Sequence, residues 1–217
     1  AYWGPTLAAP YAAAAARYPR RTALTDDYGS LGYRALHRRT NRLAAALMHN
    51  DIDADTTVGI LCRNHRGFVE ANIALAKIGC RIVYLNTGLS EPQLDAVVDR
   101  EEIELVVADD DLAHLAAAGA ADVVRVAPEA DHRWSFPDLD RTRRLRRLPT
   151  PLLGAEPVIL TSGTTGVPKG AHRPLRPSDA AGAIGILAAL PYRRGDTMVV
   201  AAPLFHAWGH SQHALAA

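Results

Sequence analysis

From residue 57 to residue 126, short apolar runs alternate with stretches whose apolar residues recur at helical spacing, and few folds accommodate that alternation. Residues 57–62 predict a buried strand, 67–78 a helix, 81–85 a strand, 91–100 a helix, 104–108 a strand, 111–118 a helix and 122–126 a strand. Strands separated by helices join as parallel βαβ units, so the expected class is α/β, a parallel sheet flanked by helices. Ahead of this region, residues 7–16 predict a helix. The run Ala23-Leu-Thr-Asp-Asp-Tyr-Gly-Ser-Leu31 has two short apolar stretches around an Asp/Gly turn and predicts a hairpin. Residues 33–50 predict a helix with Leu36, Leu43, Ala44 and Leu47 on one face. An arginine-rich stretch at 141–147, followed by Pro149 and Pro151, reads as a solvated linker balanced by Glu129, Asp138 and Asp140. The alternation then resumes with a strand at 157–161, a loop, a helix at 178–190, a strand at 197–201 and a loop or helix from His206. Two α/β units are expected, residues 1–148 and 149–217.

Composition narrows the function classes. The 217 residues carry 24 basic and 23 acidic side chains, a net charge of +1, which argues against a nucleic-acid binder held by bulk charge. At 48% apolar residues the chain is not of the disordered class. Cys62 and Cys80 are the two cysteines, too few for a disulfide framework or a four-ligand zinc site, and a reducing, cytoplasmic setting is expected. No apolar run reaches the roughly 18 residues of a membrane-spanning helix. The apolar stretch at 7–16 has its arginines after it, at 17, 20 and 21, the reverse of a secretory leader. The chain opens at Ala1 without a methionine and closes at Ala217 in an Ala/His/Leu run with no helix stop signal, so a piece of a longer protein is expected.

The chemistry concentrates in Thr161-Ser-Gly-Thr-Thr-Gly-Val-Pro-Lys-Gly170, placed after an apolar strand and expected to lead into a helix. The carboxyl edge of a parallel sheet is where loops and free amides receive ligands. Glycines allow close approach of the main chain, hydroxyls offer rotatable donors and the ammonium supplies a full charge, a combination suited to a polyphosphate. Lys77 and Lys169 are the only lysines among 24 basic residues, so a lysine in this loop is informative. The nucleoside-triphosphatase P-loop requires Gly-Lys-Ser/Thr, and here Pro168 precedes Lys169 and Gly170 follows it. A dinucleotide Gly-x-Gly-x-x-Gly is absent as well.

These residues resemble the signature phosphate loop of the adenylate-forming superfamily, which includes acyl-CoA synthetases, nonribosomal peptide adenylation domains and luciferases. Three more blocks support the resemblance in the same order: Leu31-Gly-Tyr-Arg-Ala-Leu with Asn41-Arg-Leu-Ala-Ala-Ala-Leu47, Val58-Gly-Ile-Leu-Cys-Arg-Asn64 with Ala76-Lys-Ile-Gly-Cys-Arg-Ile-Val-Tyr-Leu-Asn86, and Pro203-Leu-Phe-His206. The resemblance implies two subdomains of the family's large N-terminal domain, incomplete here, in an ATP-dependent acyl-CoA synthetase of the fatty acid type. Such an enzyme joins a carboxylate to the α-phosphate of ATP, expels pyrophosphate and passes the acyl group to CoA. By the same resemblance Thr161, Ser162, Gly163, Thr164, Thr165, Gly166 and Lys169 hold the phosphates, and Ser162 is the position that ligates Mg²⁺ with a glutamate supplied elsewhere. His206 borders the carboxylate and acyl site, and Trp208 is similar to a tryptophan that gates the acyl tunnel of long-chain members. Gly32 stands where the family carries Ser or Thr, a weaker helix N-cap.

The histidines at 206, 210 and 213 follow helical spacing, but no glutamate lies between them, which disfavours a zinc-helix reading. Because the family's adenine, ribose and catalytic-lysine segments match nothing here, the 217 residues alone are expected to be inactive. Two other readings stay open: an acyl-AMP ligase or peptide-synthetase adenylation domain that loads a carrier protein, and a non-catalytic nucleotide-binding module. The expected partners are a small carboxylic acid and CoA, with no nucleic acid, and a homodimer of the parent is left open.

Overall fold

The computed structural model describes residues 6–116, 121–126, 148, 157–161, 169–172, 193 and 195–215. Helix α1 (Ala8–Arg17) leads into the hairpin β1 (Thr22–Asp26) and β2 (Gly29–Gly32), then α2 (Tyr33–His49). The alternating region follows as β3 (Thr57–Leu61), α3 (Arg66–Ile78), β4 (Arg81–Tyr84), α4 (Glu91–Glu101), β5 (Leu105–Asp109), α5 (Ala113–Ala116) and β6 (Asp122–Val126). Beyond it lie β7 (Pro157–Thr161), β8 (Lys169–His172) and a final helix, α6 (Ala207–Leu215).

The main sheet has the order β6-β5-β3-β4-β7-β8. Its first five strands are parallel, in register from Leu105↔Asp122 and Val58↔Leu105 to Val58↔Ile82 and Ile82↔Pro157, and β8 closes the edge antiparallel to β7. Both faces are covered. Val58, Ile60, Cys62, Ile82, Tyr84 and Val107 point to one face with α1, α2 and α3, and Leu61, Val83, Leu85, Val106 and Ala108 point to the other with α4 and α5. Burial on both sides is why these strands read as unbroken apolar runs. The α2 face is as expected, with Leu36, Leu43 and Leu47 at most 2% exposed. Each such leucine contributes about 1.5–3 kcal/mol on burial.

Local signals fix the element ends. Gly32 caps α2 with its main chain alone, without a side-chain hydrogen bond. Gly79 ends α3 at φ +102°, a left-handed conformation that suits glycine, and its N–H donates to the Leu75 carbonyl at 2.9 Å. A polar seam joins α3 to α2: Arg39 pairs with Glu70, and the Lys77 ammonium donates to Thr40 Oγ1 at 2.6 Å and Asn41 Oδ1 at 2.7 Å. The hairpin is fastened to the start of α3 by Asp26, which accepts from the Arg66 main-chain N–H and guanidinium. Burial alone would raise the Asp26 carboxyl, but the hydrogen bonds and charge of Arg66 hold it below its ordinary value.

Three expectations change. The stretch after Thr161 does not run from strand to helix: Thr161 pairs with Lys169 and Leu160 with Gly170, so residues 162–168 bridge two antiparallel strands. Residues 197–201 form no strand: no described strand lies beside them, and the Asn64 side chain reaches the Val200 carbonyl instead. The strand expected at 104–108 is shifted by one residue and includes Asp109, whose carboxylate is fully engaged and therefore tolerated in a sheet. The arginine-rich linker and the helix expected at 178–190 fall outside the described residues. Strands β7 and β8, from beyond residue 149, join the sheet built by residues 57–126.

Candidate nucleotide and acid site at the carboxyl edge

The carboxyl ends of the parallel strands lie along one edge of the sheet, and three features meet there. The first is the mouth of the β7–β8 connection. Thr161 and Lys169 face each other across the last antiparallel pair, so the seven intervening residues are closed at their base by the sheet ladder. Ser162, Gly163, Thr164, Thr165 and Gly166 belong to that connection and lie outside the described residues; Thr161 and Lys169 are placed by their main chain.

The second feature is the segment that leads to His206. Leu204 and Phe205 are buried, at 5% and 7% exposure, and insert into the core beneath α1–α3. The His206 N–H donates to the Pro203 carbonyl at 3.0 Å, a tight turn that starts α6. At Gly209 a Cβ would overlap the Pro203 carbonyl, so the first turn of α6 sits directly on that turn. One helical turn after His206, the His210 ring lies against Tyr84 at the end of β4, with centroids 4.6 Å apart. Burial pushes the His210 imidazole down to about 4, which keeps it neutral. Tyr84 is level with Ile159 in the β4–β7 ladder, so α6 stands over the strand adjacent to the one that ends at Thr161. His206 itself is exposed, its ring 4.7 Å from that of Phe205, and Trp208 is 68% exposed.

The third feature is a polar cluster where β3 and β5 end. Asp109, 2% exposed, accepts from His65 Nε2 at 2.7 Å, from the Arg63 main-chain N–H at 3.1 Å and from Arg63 Nη1 at 3.1 Å. Burial would raise this carboxyl, but the hydrogen bond and charge of His65 with the Arg63 amide hold it below its ordinary value. Arg63 also makes a two-pronged contact with Asp111 at 2.9 and 2.8 Å. Between Arg63 and His65, Asn64 reaches out of the cluster to the His206 segment. Its Nδ2 donates to the Ala202 carbonyl at 2.9 Å and the Val200 carbonyl at 3.4 Å, and its Oδ1 accepts from the Leu204 N–H at 2.8 Å.

Cys62 Sγ, His65 and Asp109 stand close enough to raise the question of a metal, their ligand atoms within 4.8 Å of one another. The donor set does not suit one. His65 Nδ1 already accepts from the Gly67 N–H at 3.0 Å, so the proton resides on Nε2, the atom that faces Asp109, and no ring lone pair points at the centre. Burial, with Asp109 beside it, drives the Cys62 thiol well above its ordinary value and against the thiolate a metal needs. Cys62 and Cys80 are buried and free, in line with the absence of a disulfide framework. Among the described residues, no group of three potential ligands includes His206 or His210.

The structure thus brings the base of the 161–170 stretch and the His206 segment to one edge of the sheet. Sequence reasoning gave no role to Asn64, His65 or Asp109. The one available signal is the polar run Arg63-Asn-His65 directly after a buried strand, where loops of α/β sheets carry ligand and positioning groups.

Over 203 residues the chain is 29% identical to the medium/long-chain-fatty-acid–CoA ligase FadD6 of Mycobacterium tuberculosis, an alignment that covers 88% of this chain and 33% of that protein. Over 199 residues it is 27% identical to the fatty acid–[acyl-carrier-protein] ligase ScoC of Streptomyces coeruleorubidus, covering 88% and 38%. A solved structure from Rhodopseudomonas palustris, described as a long-chain-fatty-acid CoA ligase, superposes with a TM-score of 0.81 at 25% identity, covering 97% of this chain and 55% of that one. The chain therefore spans between a third and two fifths of the length of these two curated relatives. The AMP-binding enzyme family matches residues 11–217, and the chain belongs to that family of adenylate-forming enzymes.

Proposed function

We propose that the protein carrying this chain is an ATP-dependent acyl-CoA synthetase acting on a fatty acid. In the first step a carboxylate oxygen attacks the α-phosphorus of ATP; an acyl–O–P bond forms as the bond to pyrophosphate breaks. In the second, the thiol of CoA, losing its proton, attacks the acyl carbon and AMP departs. The observation that carries the reading is the hydroxyl- and glycine-rich stretch from Thr161 to Lys169, anchored at the carboxyl end of β7 beside the segment that bears His206. The hydroxyls of Thr161, Ser162, Thr164 and Thr165, with the amides of Gly163 and Gly166, are assigned to the departing pyrophosphate, where charge accumulates. Lys169 supplies a counter-charge at the other rim of the loop. At ~4 Å from a phosphate that charge is worth about 4 kcal/mol before desolvation is subtracted. Hard hydroxyl oxygens suit Mg²⁺, and Ser162 is assigned as its ligand, where the ion would neutralise phosphate charge. His206 is assigned to orienting the acid and Trp208 to the wall of the acyl site. Residues 1–148 supply the framework and 149–217 the loop and acid segment.

Pyrophosphate exchange by the full protein against fatty, aryl and amino acids tests this reading. Exchange is expected with a fatty acid, and Lys169→Ala is expected to raise the KM for ATP about tenfold, roughly 1.4 kcal/mol. No exchange with any acid would overturn the assignment. Residues 1–217 by themselves are expected to release no acyl-adenylate, and its detection by mass spectrometry would contradict that.

A second acceptor is supported by the comparison, since the relative that loads an acyl-carrier protein is nearly as similar as the one that loads CoA. Supplying CoA or a phosphopantetheinylated carrier to the preformed adenylate separates the two. The buried free thiols support a reducing, cytoplasmic setting.

A further inference from the structure

Asn64 is the only bridge of side-chain hydrogen bonds among the described residues between the end of β3 and the segment at 200–204. It joins positions 136 to 140 residues apart in sequence. Its amide meets main-chain groups at every second residue, donating to the Val200 and Ala202 carbonyls and accepting from the Leu204 N–H. These contacts hold a segment that no described strand pairs with. Two residues beyond the last of these contacts stands His206, and the turn between them is closed by the His206 N–H on the Pro203 carbonyl. A shift at Leu204 therefore passes to His206 without a flexible joint between.

Asn64 is itself held from both sides. Asp109 takes the main chain and guanidinium of Arg63 on one flank and the ring of His65 on the other. His65 in turn caps α3 through the Gly67 N–H. The amide is thus presented from a fixed part of the sheet edge, although it is itself solvent-exposed.

We infer that Asn64 is a positioning residue for the acid site, setting the register of the 200–206 segment and through it the place of His206. The inference rests on the acid-site reading of His206 given above. Two measurements test it. Amide hydrogen exchange on the chain reports the tie directly: the Leu204 amide is expected to lose protection at least tenfold in Asn64→Ala, while the Leu85 amide, bonded to the Ile60 carbonyl within the sheet, keeps its protection. Asn64→Asp retains the acceptor for Leu204 but presents oxygen to both carbonyls, and is expected to fall between wild type and Asn64→Ala. Unchanged exchange at Leu204 in both variants would overturn the tie.

Kinetics of adenylation by the full protein report the positioning. The KM for the acid is expected to rise about tenfold in Asn64→Ala with the KM for ATP within twofold, a split that a general loss of folded protein would not produce. Equal acid KM in wild type and variant, with adenylation intact, would remove the positioning role and leave the enzyme reading standing. Absence of adenylation in wild type would overturn both. Should Asn64→Ala lose protection at Leu85 as well, the comparison passes to Asn64→Asp, where an unchanged acid KM would overturn the role.

Discussion

Lys77 offers the sharpest test of the fold, because its charge is held where water is excluded. The side chain is 1% exposed on α3, and burial pushes its ammonium down to about 7. A lysine in the unfolded chain titrates near 10.4, so between these values the unfolded state binds more protons than the folded state. Stability must therefore rise with pH as the folded ammonium gives up its proton, and the burden is fully present below pH 7. From pH 6 to pH 8 this one group contributes a gain of about 1.4 kcal/mol. His37 and His210, each depressed to about 4 by burial, add to the slope near pH 6 because their unfolded forms titrate at about 6.5. The informative quantity is therefore the difference from Lys77→Met, which fills the same volume without a charge. Removing Lys77 also lifts a repulsion from His37, which reduces the variant's pH slope further. Urea denaturation of wild type and variant at pH 6, 7 and 8, followed by circular dichroism, measures both slopes. Wild type is expected to gain at least about 1 kcal/mol more than Lys77→Met over the interval. Parallel slopes would mean that the ammonium is hydrated, and the buried seam between α2 and α3 would be wrong.

Two further perturbations address the sheet edge. Gly209→Ala places a methyl group on the Pro203 carbonyl and should cost about 1–3 kcal/mol or displace α6; exchange at the His210 amide, which donates to the His206 carbonyl, reads the displacement, and full protection there would contradict the contact. Asp109→Asn removes the charge that engages Arg63 and His65 and should cost about 2 kcal/mol at pH 7. Since the Asp109 carboxyl is depressed on folding, that difference should hold above pH 4 and fade as the pH falls through the folded value, and a difference that does not shrink on acidification would refute the charge assignment.

How far the chain could be read beforehand follows from where each signal resides. Strands β3 to β5 are legible because burial on both faces leaves mainly apolar letters, β6 because an apolar pair and Val126 stand between the exposed Asp122 and Arg125, and α2 because one face of Leu36, Leu43 and Leu47 repeats at helical spacing. Strand β8 is not: Lys-Gly-Ala-His carries neither alternation nor a β-branched residue, and it pairs because β7 presents an open edge. Residues 197–201 show the converse. Thr-Met-Val-Val-Ala has the composition of a strand, but composition is silent about whether a neighbour exists, and Val199 stands 83% exposed. The phosphate-loop reading of residues 161–170 rests on hydroxyl, glycine and lysine content, and residues 162–168 lie outside the described residues. Asn64 is not legible, since an asparagine after a strand has the appearance of any turn residue and its partners lie 136 to 140 positions away.

The segment before His206 is held by two kinds of force with different consequences. Leu204 and Phe205 bury apolar surface worth about 1.5–3 kcal/mol each, the larger share of the binding energy. That force is non-directional, so it draws the segment down to the sheet without deciding which residue sits where. Each Asn64 bond contributes less: hydrogen bonds to the main chain are worth about 0.5–1.5 kcal/mol apiece. Yet only these bonds distinguish the Leu204 N–H from the carbonyls of Val200 and Ala202, and main-chain donors and acceptors alternate along an extended segment. The weaker interaction therefore selects the register while the stronger one supplies adhesion. It follows that loss of Asn64 should alter the proposed acid site by more than its effect on stability explains, whereas truncating Phe205 should lower stability by several kcal/mol first. A catalytic defect in Asn64→Ala that tracked its melting temperature would mean that adhesion and register cannot be separated at this edge of the sheet.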